Sequence, residues 1–197
     1  MSSHNAALEE EILAQKWFYR YRLPSGRETE LYISDEVENI HQTRRSMMLD
    51  VLNPLLEQPG AELTALDFAS HQGFFSIELA RHCKHVRGLE YQFRHVDSAR
   101  RISAALGISN IEFHQENLET MPAGKHEPAD IVIAFGLMYN LENPIAVLRR
   151  ARELTRKVLL IETQVTILDL EGAIDSGHHS STNFMHGYFR HIFGQPP

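Results

Sequence analysis

The chain has 197 residues, of which 43% are hydrophobic and 23% are charged, a composition typical of one globular domain. Nineteen basic and 26 acidic residues give a net charge of −7, which argues against a dedicated nucleic-acid-binding protein. The single cysteine, Cys83, excludes an intrachain disulfide and favours a reducing, cytoplasmic location. Because no apolar run approaches the roughly 18 residues of a membrane span and the N-terminus lacks a secretory pattern, we expect no membrane partner.

Residues 1–60 are predicted to form an N-terminal appendage. A short polar helix is expected over residues 6–16, and two strands over 18–23 and 28–33. Pro24, Ser25 and Gly26 supply turn chemistry between these strands, which predicts a hairpin. A longer helix is expected from Asp35, which can cap it, until Pro54 ends or kinks it.

Residues 61–170 alternate between short apolar runs and amphipathic segments. The runs predict strands over 64–68, 86–90, 111–114, 130–135 and 158–162. Helices are expected over 74–83, around 96–106 before Gly107, and from Asn143 and Pro144 to about 155. This order is typical of a Rossmann-like, doubly wound α/β domain with a mostly parallel sheet.

Residues 171–197 are expected to be a polar tail or remainder, which leaves the sheet without the strands that normally close it. Strand five would then expose Leu159–Ile161 as an edge. We expect residues 164–170, or a second chain in a homodimer, to cover this edge.

Ligands of such sheets bind beyond the carboxyl ends of the strands. Ala69–Gly73 follow the first of these strands, and Glu90 ends the next one, 23 residues after Asp67. An acidic residue at about this spacing accepts hydrogen bonds from ribose hydroxyls. The pattern therefore predicts a nucleoside-bearing cofactor, with Glu90 as an exposed acid that contributes little to stability.

The glycine pattern distinguishes between two such cofactors. The three glycine positions of a dinucleotide fingerprint hold Ala69, His71 and Phe74 here, and side chains obstruct a pyrophosphate. S-adenosylmethionine has no phosphate and needs only one close backbone passage, which Gly73 can provide. This favours S-adenosylmethionine over NAD.

Four segments in this order resemble the class I S-adenosylmethionine-dependent methyltransferases. They are Leu66–Ser76, Gly88–Glu90, Glu116–Leu118 and Phe135–Pro144. The last is similar to the "G-L-x-Y-H-L-x-x-P" run of a subgroup that includes small-molecule methyltransferases and relatives of the tRNA wobble-uridine enzymes. The resemblance covers residues 61–163.

The resemblance also implies a role for each matching position. Asp67 and the loop around it would surround the methionine moiety, Glu90 and Tyr91 the ribose, Asn117 and Leu118 the adenine, and Phe135 and Gly136 the reacting methyl group. The implied loop residues are Ala69, Ser70, His71 and Gly73. Ala69 and His71 replace glycines of the family pattern, Asn117 replaces an acid, and Asn140 replaces a frequent histidine.

No catalytic base is identified, and Tyr139 and Asn140 are the candidates for a catalytic role. No metal site is expected, because the spacing of His178, His179, His186 and His191 matches no zinc pattern. A small-molecule acceptor is favoured. An NAD(P)-linked oxidoreductase, a non-catalytic scaffold and a tRNA-modifying methyltransferase remain open alternatives.

Overall fold

The computed structural model describes residues 3–58, 60 and 62–164. An N-terminal region holds two helices and two very short strands, and an alternating α/β region follows it. The elements in chain order are α1 (Ser3–Leu13), β1 (Lys16–Trp17), β2 (Glu30–Leu31), α2 (Asp35–Leu56), β3 (Thr64–Phe68), α3 (Phe74–Ala80), β4 (His85–Glu90), α4 (Phe93–Ala105), β5 (Ile111–Gln115), β6 (Ala129–Phe135), a 3-10 turn (Met138–Asn140), α5 (Pro144–Glu153) and β7 (Thr155–Glu162).

The main sheet has the strand order β5-β4-β3-β6-β7, and every neighbouring pair in it is parallel. Its central strands β3 and β6 are almost entirely buried, as expected for a sheet with helices on both faces. The chain leaves β3 toward β4 on one side and returns through β6 on the other. The predicted doubly wound α/β fold is confirmed, and its switch point lies between β3 and β6.

The predicted start of α5 illustrates how local chemistry sets an element. The Asn143 side chain accepts a hydrogen bond of 3.1 Å from the Ala146 amide, and Pro144 occupies the first helical position. Asparagine satisfies an otherwise unpaired amide there, and proline loses no bond because its position needs no donor.

The predicted hairpin in the N-terminal region is wrong in its strands. Each strand is only two residues long, and β1 pairs with β2 in parallel. The turn itself forms, because the Gly26 amide donates to the Leu23 carbonyl at 2.8 Å, and one antiparallel bridge joins Arg22 and Glu28. The segment is extended, and its bonds across the turn are mixed: the Thr29 amide donates to the Tyr21 carbonyl at 3.0 Å, whereas Thr29 Oγ1 accepts from the Tyr21 amide at 2.9 Å.

Alternation along this segment explains its conformation. Trp17, Tyr19, Tyr21 and Leu23 are buried in one hydrophobic cluster together with residues of the α/β region. A period of two presents alternate side chains to one face, so the segment packs that face against the α/β region while its own strand pairing stays short. The division at residue 60 remains a prediction.

Two helices in the N-terminal region differ from the prediction at their ends. α1 lies three residues earlier than expected. Ser34, and not Asp35, is the N-cap residue of α2, and it makes no side-chain capping bond. Pro54 lies inside the last turn of α2, and the helix ends two residues later.

The strand β7 lies at one edge of the described sheet. The covering segment predicted for this edge, residues 165–170 in particular, lies outside the described residues, as does the predicted tail at 171–197. Over the part of the chain that is described, no helix is long and apolar enough to cross a membrane.

Gly88 on β4 allows a close contact that a larger residue would block. A Cβ atom there would lie 2.5 Å from Phe113 Cδ1 and 2.8 Å from Ser70 Oγ. Because backbone and ring meet at such short range, Gly88→Ala forces Phe113 of β5 to move. We expect it to lower the free energy of unfolding by about 1–3 kcal/mol, measured by urea denaturation.

Gly26→Ala is the matched control. Gly26 has a positive φ of 86°, but no atom lies within 4 Å of the position that an alanine methyl group would take. Only backbone strain of about 1 kcal/mol is therefore added. Gly88→Ala should lose more stability than Gly26→Ala does, and equal losses would contradict the close contact at Gly88.

Candidate functional site

The carboxyl ends of β3, β4, β5 and β6 bring the predicted site residues to one edge of the sheet. Backbone hydrogen bonds hold these ends together. The Ser70 amide donates to the Leu89 carbonyl at 3.1 Å, and the Glu116 amide donates to the Glu90 carbonyl at 2.8 Å. Parallel register places the strand ends side by side, so residues far apart in sequence become neighbours at this edge, which we call the crevice.

The loop Ala69–Gly73 has an unusual backbone. Ala69, His71 and Gly73 have φ values of 60°, 49° and 86°, which lie in the left-handed region. That conformation suits glycine and strains a residue with a Cβ atom. Ala69 and His71, which stand where the family pattern has glycines, therefore adopt a glycine-like conformation.

The Glu90 carboxylate stabilises this loop. Its Oε2 accepts a hydrogen bond of 3.0 Å from the His71 amide, and its Oε1 accepts one of 2.8 Å from the Gln92 amide. His95 Nδ1 lies 3.6 Å from Oε1. Glu90 is only 6% exposed, so the expectation of an exposed strand-end acid is wrong: the first turn after β4 folds its own amide back onto the carboxylate.

Burial alone would raise the pKa of Glu90, but the His95 imidazole and the amides of Gln92 and His71 together hold that pKa below its usual value. Glu90 is therefore a carboxylate at neutral pH. Each carboxylate oxygen accepts more than one hydrogen bond, so acceptor capacity remains after the two amides are satisfied.

Asp67 at the end of β3 is fully enclosed and behaves differently. Burial raises its pKa to about 7, which the hydrogen bond from Ser76 partly offsets and the nearby Glu90 charge increases. The Ser76 hydroxyl donates to Asp67 Oδ2 at 2.5 Å. The site thus contains one permanent carboxylate and one carboxyl group that is half-protonated near neutral pH.

Two histidine rings lie beside Glu90. The imidazoles of His71 and His95 have their centroids 3.8 Å apart. His95 Nδ1 faces the Glu90 carboxylate at 3.6 Å, whereas the buried His71 Nδ1 has no hydrogen-bond partner among the described residues. Burial, followed by the neighbouring His95, lowers the pKa of His71 to about 3, so its ring is neutral. Buried polar atoms without partners are rare in folded proteins, which makes the His71 nitrogen a candidate for contact with a polar ligand.

Several predicted residues lie at the crevice but direct their side chains elsewhere. Ser70 Oγ faces Gly88, and the Cβ direction of Gly73 is filled by Phe113 and Ala99. The close passage at Gly73 therefore accommodates a protein ring. Leu118 is buried in the core.

The remaining residues at the adenine end are arranged as follows. Asn117 Oδ1 accepts a hydrogen bond of 3.0 Å from the Glu119 amide, which closes a local turn. Tyr91 is 66% exposed. Asn117 thus has a structural use of its own, while the Tyr91 ring is free to contact a ligand.

The end of β6 forms the other side of the crevice. Gly136 has a φ of 64°, and its amide donates to Glu162 Oε2 at 2.9 Å. Tyr139, which is 47% exposed, places its hydroxyl 3.2 Å from the position of a Gly136 Cβ atom. Asn140 Nδ2 donates to the Gly136 carbonyl at 3.0 Å. Both catalytic candidates therefore lie beside Gly136, and Phe135 precedes it.

Sequence reasoning missed the residues that cover the loop from the N-terminal region. Gln72 Oε1 accepts from the Phe18 amide at 2.9 Å, and the Gln72 carbonyl accepts from the Tyr21 hydroxyl at 2.8 Å. Tyr19 stacks on Phe74 with centroids 4.8 Å apart. The alternating aromatic residues at 17–21 indicate burial of one face, but this pattern does not predict that the segment contacts Gln72.

It also missed an ion pair that joins α2 to the sheet. Arg44 Nη2 lies 2.8 Å from Glu162 Oε1, and the other carboxylate oxygen of Glu162 is the one bound to Gly136. An acidic residue ends β7 just as Glu90 ends β4, and this parallel could have identified Glu162. α2 is thereby fixed over the crevice.

The residues present fit the cofactor predicted from the sequence. The Glu90 carboxylate and the unpartnered His71 nitrogen suit a ligand that carries hydroxyl and amino donors. Glu90 itself has little exposed surface. Within the described ranges no group of three or more metal-ligating side chains occurs; the histidines at 178–191 lie outside them.

Comparison with known proteins gives two kinds of similarity. A family model described as a methyltransferase domain matches residues 59–187 of the chain. No curated protein matches the sequence significantly. Solved structures also resemble this chain, at sequence identities of 16–20% that indicate a common fold alone.

Three solved structures illustrate the shared fold. The N-terminal domain of EvdMO1 with SAH bound has a TM-score of 0.64 at 20% identity, over 92% of this chain and 71% of that one. Magnesium protoporphyrin IX methyltransferase (ChlM) from Synechocystis PCC 6803 with bound SAM gives 0.56 at 18%, over 78% and 69%. The YcgJ protein from Bacillus subtilis gives 0.57 at 16%. This chain has 66% of its residues in that match and spans only about half of YcgJ, 53%.

The burial of Glu90 predicts a stability cost. Glu90→Gln replaces one charge-assisted acceptor, so we expect a loss of about 1–3 kcal/mol of unfolding free energy at pH 7. Because the folded pKa of Glu90 is lowered, its stabilising contribution is present above the unfolded pKa and disappears as pH falls through the folded one. Urea denaturation at pH 7 and pH 4 should show the deficit shrinking in acid.

The raised pKa of Asp67 predicts the opposite dependence. The native state holds this proton up to pH about 7, whereas the unfolded chain loses it near pH 4, so wild-type stability falls as pH rises between these values. Asp67→Asn removes this loss. Its stability relative to wild type should improve by on the order of 1 kcal/mol per pH unit from pH 5 to pH 7. A constant difference would mean that Asp67 is already ionised.

Proposed function

Because the chain belongs to the methyltransferase-domain family, we propose that it transfers a methyl group from S-adenosylmethionine to a small-molecule acceptor. Residues 59–187 match the family model, and the described sheet has the class I strand arrangement. The observation that carries the proposal is the ionised Glu90 carboxylate at the end of β4, which holds the loop after β3 through the His71 amide.

The site residues divide into binding roles along the crevice. Glu90 would accept the ribose hydroxyls, and Tyr91 would lie against the adenosine. The loop after β3 and Asp67 would hold the methionine end, and Gly136 would lie near the reacting methyl group. S-adenosylmethionine supplies a methyl group that its sulfonium already activates for transfer.

The chain itself has to orient the acceptor and exclude water. Transfer between two bound partners gains chiefly from alignment. The Phe18–Tyr21 segment, bonded to Gln72, covers the loop, and the Arg44–Glu162 pair holds α2 above the end of β6. Tyr139 and Asn140 lie next to Gly136 and would contact the acceptor; no proton transfer is assigned to them.

Two features favour a small acceptor over an RNA. The net charge is −7, which opposes a polyanion at long range. The aromatic segment encloses the loop side of the crevice, where a macromolecule would need an open surface. Among structures of this fold, ChlM is described as acting on magnesium protoporphyrin IX, a small molecule. Family membership favours methyl transfer over the NAD(P)-linked alternative.

Binding of S-adenosylhomocysteine tests the site directly. Isothermal titration should show saturable binding to the wild type. Glu90→Ala should weaken it about ten-fold to several-hundred-fold, because two charge-assisted hydrogen bonds are lost from a partly solvated site. Glu90→Gln, which keeps one acceptor oxygen, should lose less. Glu57→Gln, an exposed acid at the end of α2, should bind as the wild type does.

The loss of stability in Glu90→Ala has to be separated from the loss of binding. The titrations are therefore run at a temperature below the unfolding transition of the variant. Circular dichroism on the same samples checks that folded variant is compared with folded wild type. Equal affinity of Glu90→Ala and wild type would contradict the ribose assignment. If the folded wild type binds neither S-adenosylhomocysteine nor NADH, the scaffold alternative is favoured. If it binds NADH alone, the NAD(P)-linked alternative is favoured.

Acceptor class is tested by the S-adenosylhomocysteine released with phenols, amines, carboxylic acids and unmodified tRNA. Turnover with a small molecule supports the proposal. Turnover with tRNA alone overturns the small-molecule part and leaves methyl transfer intact.

A further inference from the structure

A cavity of about 160 Å³ lies away from the crevice, where the N-terminal region meets α2, α3 and the end of α4. Four arginines line it: Arg20, Arg22, Arg45 and Arg81. Glu78 is the single acidic residue in the lining. In a chain with a net charge of −7, this is a local reversal of sign.

Glu78 orients two of the arginines. Its carboxylate is buried and lies 3.0 Å from Arg45 Nη2 through Oε1 and 3.0 Å from Arg81 Nη1 through Oε2. His82 Nε2 lies 3.7 Å from Oε1. Burial raises the pKa of Glu78, but these cationic neighbours outweigh burial and leave the pKa lowered. Each guanidinium has five donors, so most donors of Arg45 and Arg81 remain available.

The other two arginines are not neutralised within the cavity. Arg20 lies 3.3 Å from Asp35 and 3.8 Å from Glu28, and neither acid lines the cavity. Arg22 is exposed and forms no ion pair with any residue in the described ranges. The lining therefore keeps an excess of positive charge that a bound anion would offset.

The size and floor of the cavity indicate what can enter. Phe74, Ile77 and Leu106 supply an apolar floor, which lowers the local dielectric and strengthens an ionic contact at the rim. Pockets for drug-sized ligands have volumes of roughly 300–1,000 Å³, so a cavity of about 160 Å³ holds a chemical group and not a whole nucleotide. Guanidinium groups match phosphate oxygens in pairs.

We propose that this arginine-lined cavity is a binding site for a phosphate group, either free phosphate or that of a small phosphomonoester. A dianion suits a lining with four arginines and one carboxylate better than a monovalent carboxylate does. The net negative charge of the chain disfavours a nucleic acid, whose many phosphates would meet repulsion beyond the cavity.

The cavity has a physical link to the crevice. Tyr21 lines it, and the Tyr21 hydroxyl donates to the Gln72 carbonyl of the loop. A bound phosphate would hold the N-terminal segment against α2 and α3, and thereby against that loop. The inference stands independently of methyl transfer, since none of the arginines lies at the crevice.

Calorimetry with inorganic phosphate and with glycerol 3-phosphate, at constant ionic strength, tests the proposal. We expect saturable binding with one site per chain. Arg22→Ala and Arg81→Ala should each weaken it at least about fivefold, because each removes a charge-assisted contact. Arg149→Ala, an exposed arginine of α5, is the control and should leave it unchanged. Tighter binding of glycerol 3-phosphate assigns an ester; equal or tighter binding of inorganic phosphate assigns the free ion.

Three results would overturn the proposal. These are no saturable binding of either phosphate probe, unchanged affinity in both arginine variants, and equal binding of acetate. Binding of an RNA oligonucleotide without binding of the small probes would also overturn it. Titration of S-adenosylhomocysteine into the same samples reports on the crevice separately, so failure at one site does not imply failure at the other.

Discussion

The hydrogen bond from the His71 amide to the Glu90 carboxylate is the interaction on which the site depends. It joins the loop after β3 to the end of β4 and offsets a left-handed backbone at a residue that carries a side chain. Most residues avoid this conformation, so the loop needs an acceptor fixed in position. Glu90 is such an acceptor because the Gln92 amide and His95 fix its other oxygen.

A second layer of support comes from the N-terminal region. Phe18 and Tyr21 bind both polar ends of Gln72, and α2 reaches the far side of the crevice through Arg44. The loop is thus held by the carboxylate at the end of β4 and, separately, by the extended aromatic segment of the N-terminal region. The partners in these contacts are Glu90, Phe18 and Tyr21. Because all three lie outside the loop, a short sequence motif over the loop does not contain the residues that determine its conformation.

The sequence predicted the α/β region well because each element there carries its own local signal. The apolar run at β6 and the Asn143–Pro144 start of α5 specify their structures without distant partners. The N-terminal hairpin was wrong because alternation in residues 17–23 reports burial on one face, not strand pairing. Glu90 was correctly placed at the crevice but wrongly expected to be exposed. Its burial depends on amides and on His95, which no spacing rule connects to it.

The attachment of Phe18 and Tyr21 to Gln72 limits how far the chain can be treated as exchangeable modules. Residues 1–60 and the loop after β3 share hydrogen bonds and one hydrophobic cluster. A chimaera that took its N-terminal region from another family member would have to supply a hydroxyl in place of that of Tyr21 and a backbone path that keeps an amide beside Gln72 Oε1. Exchange of that region would otherwise require compensating changes in the loop itself. The two parts have to diverge together.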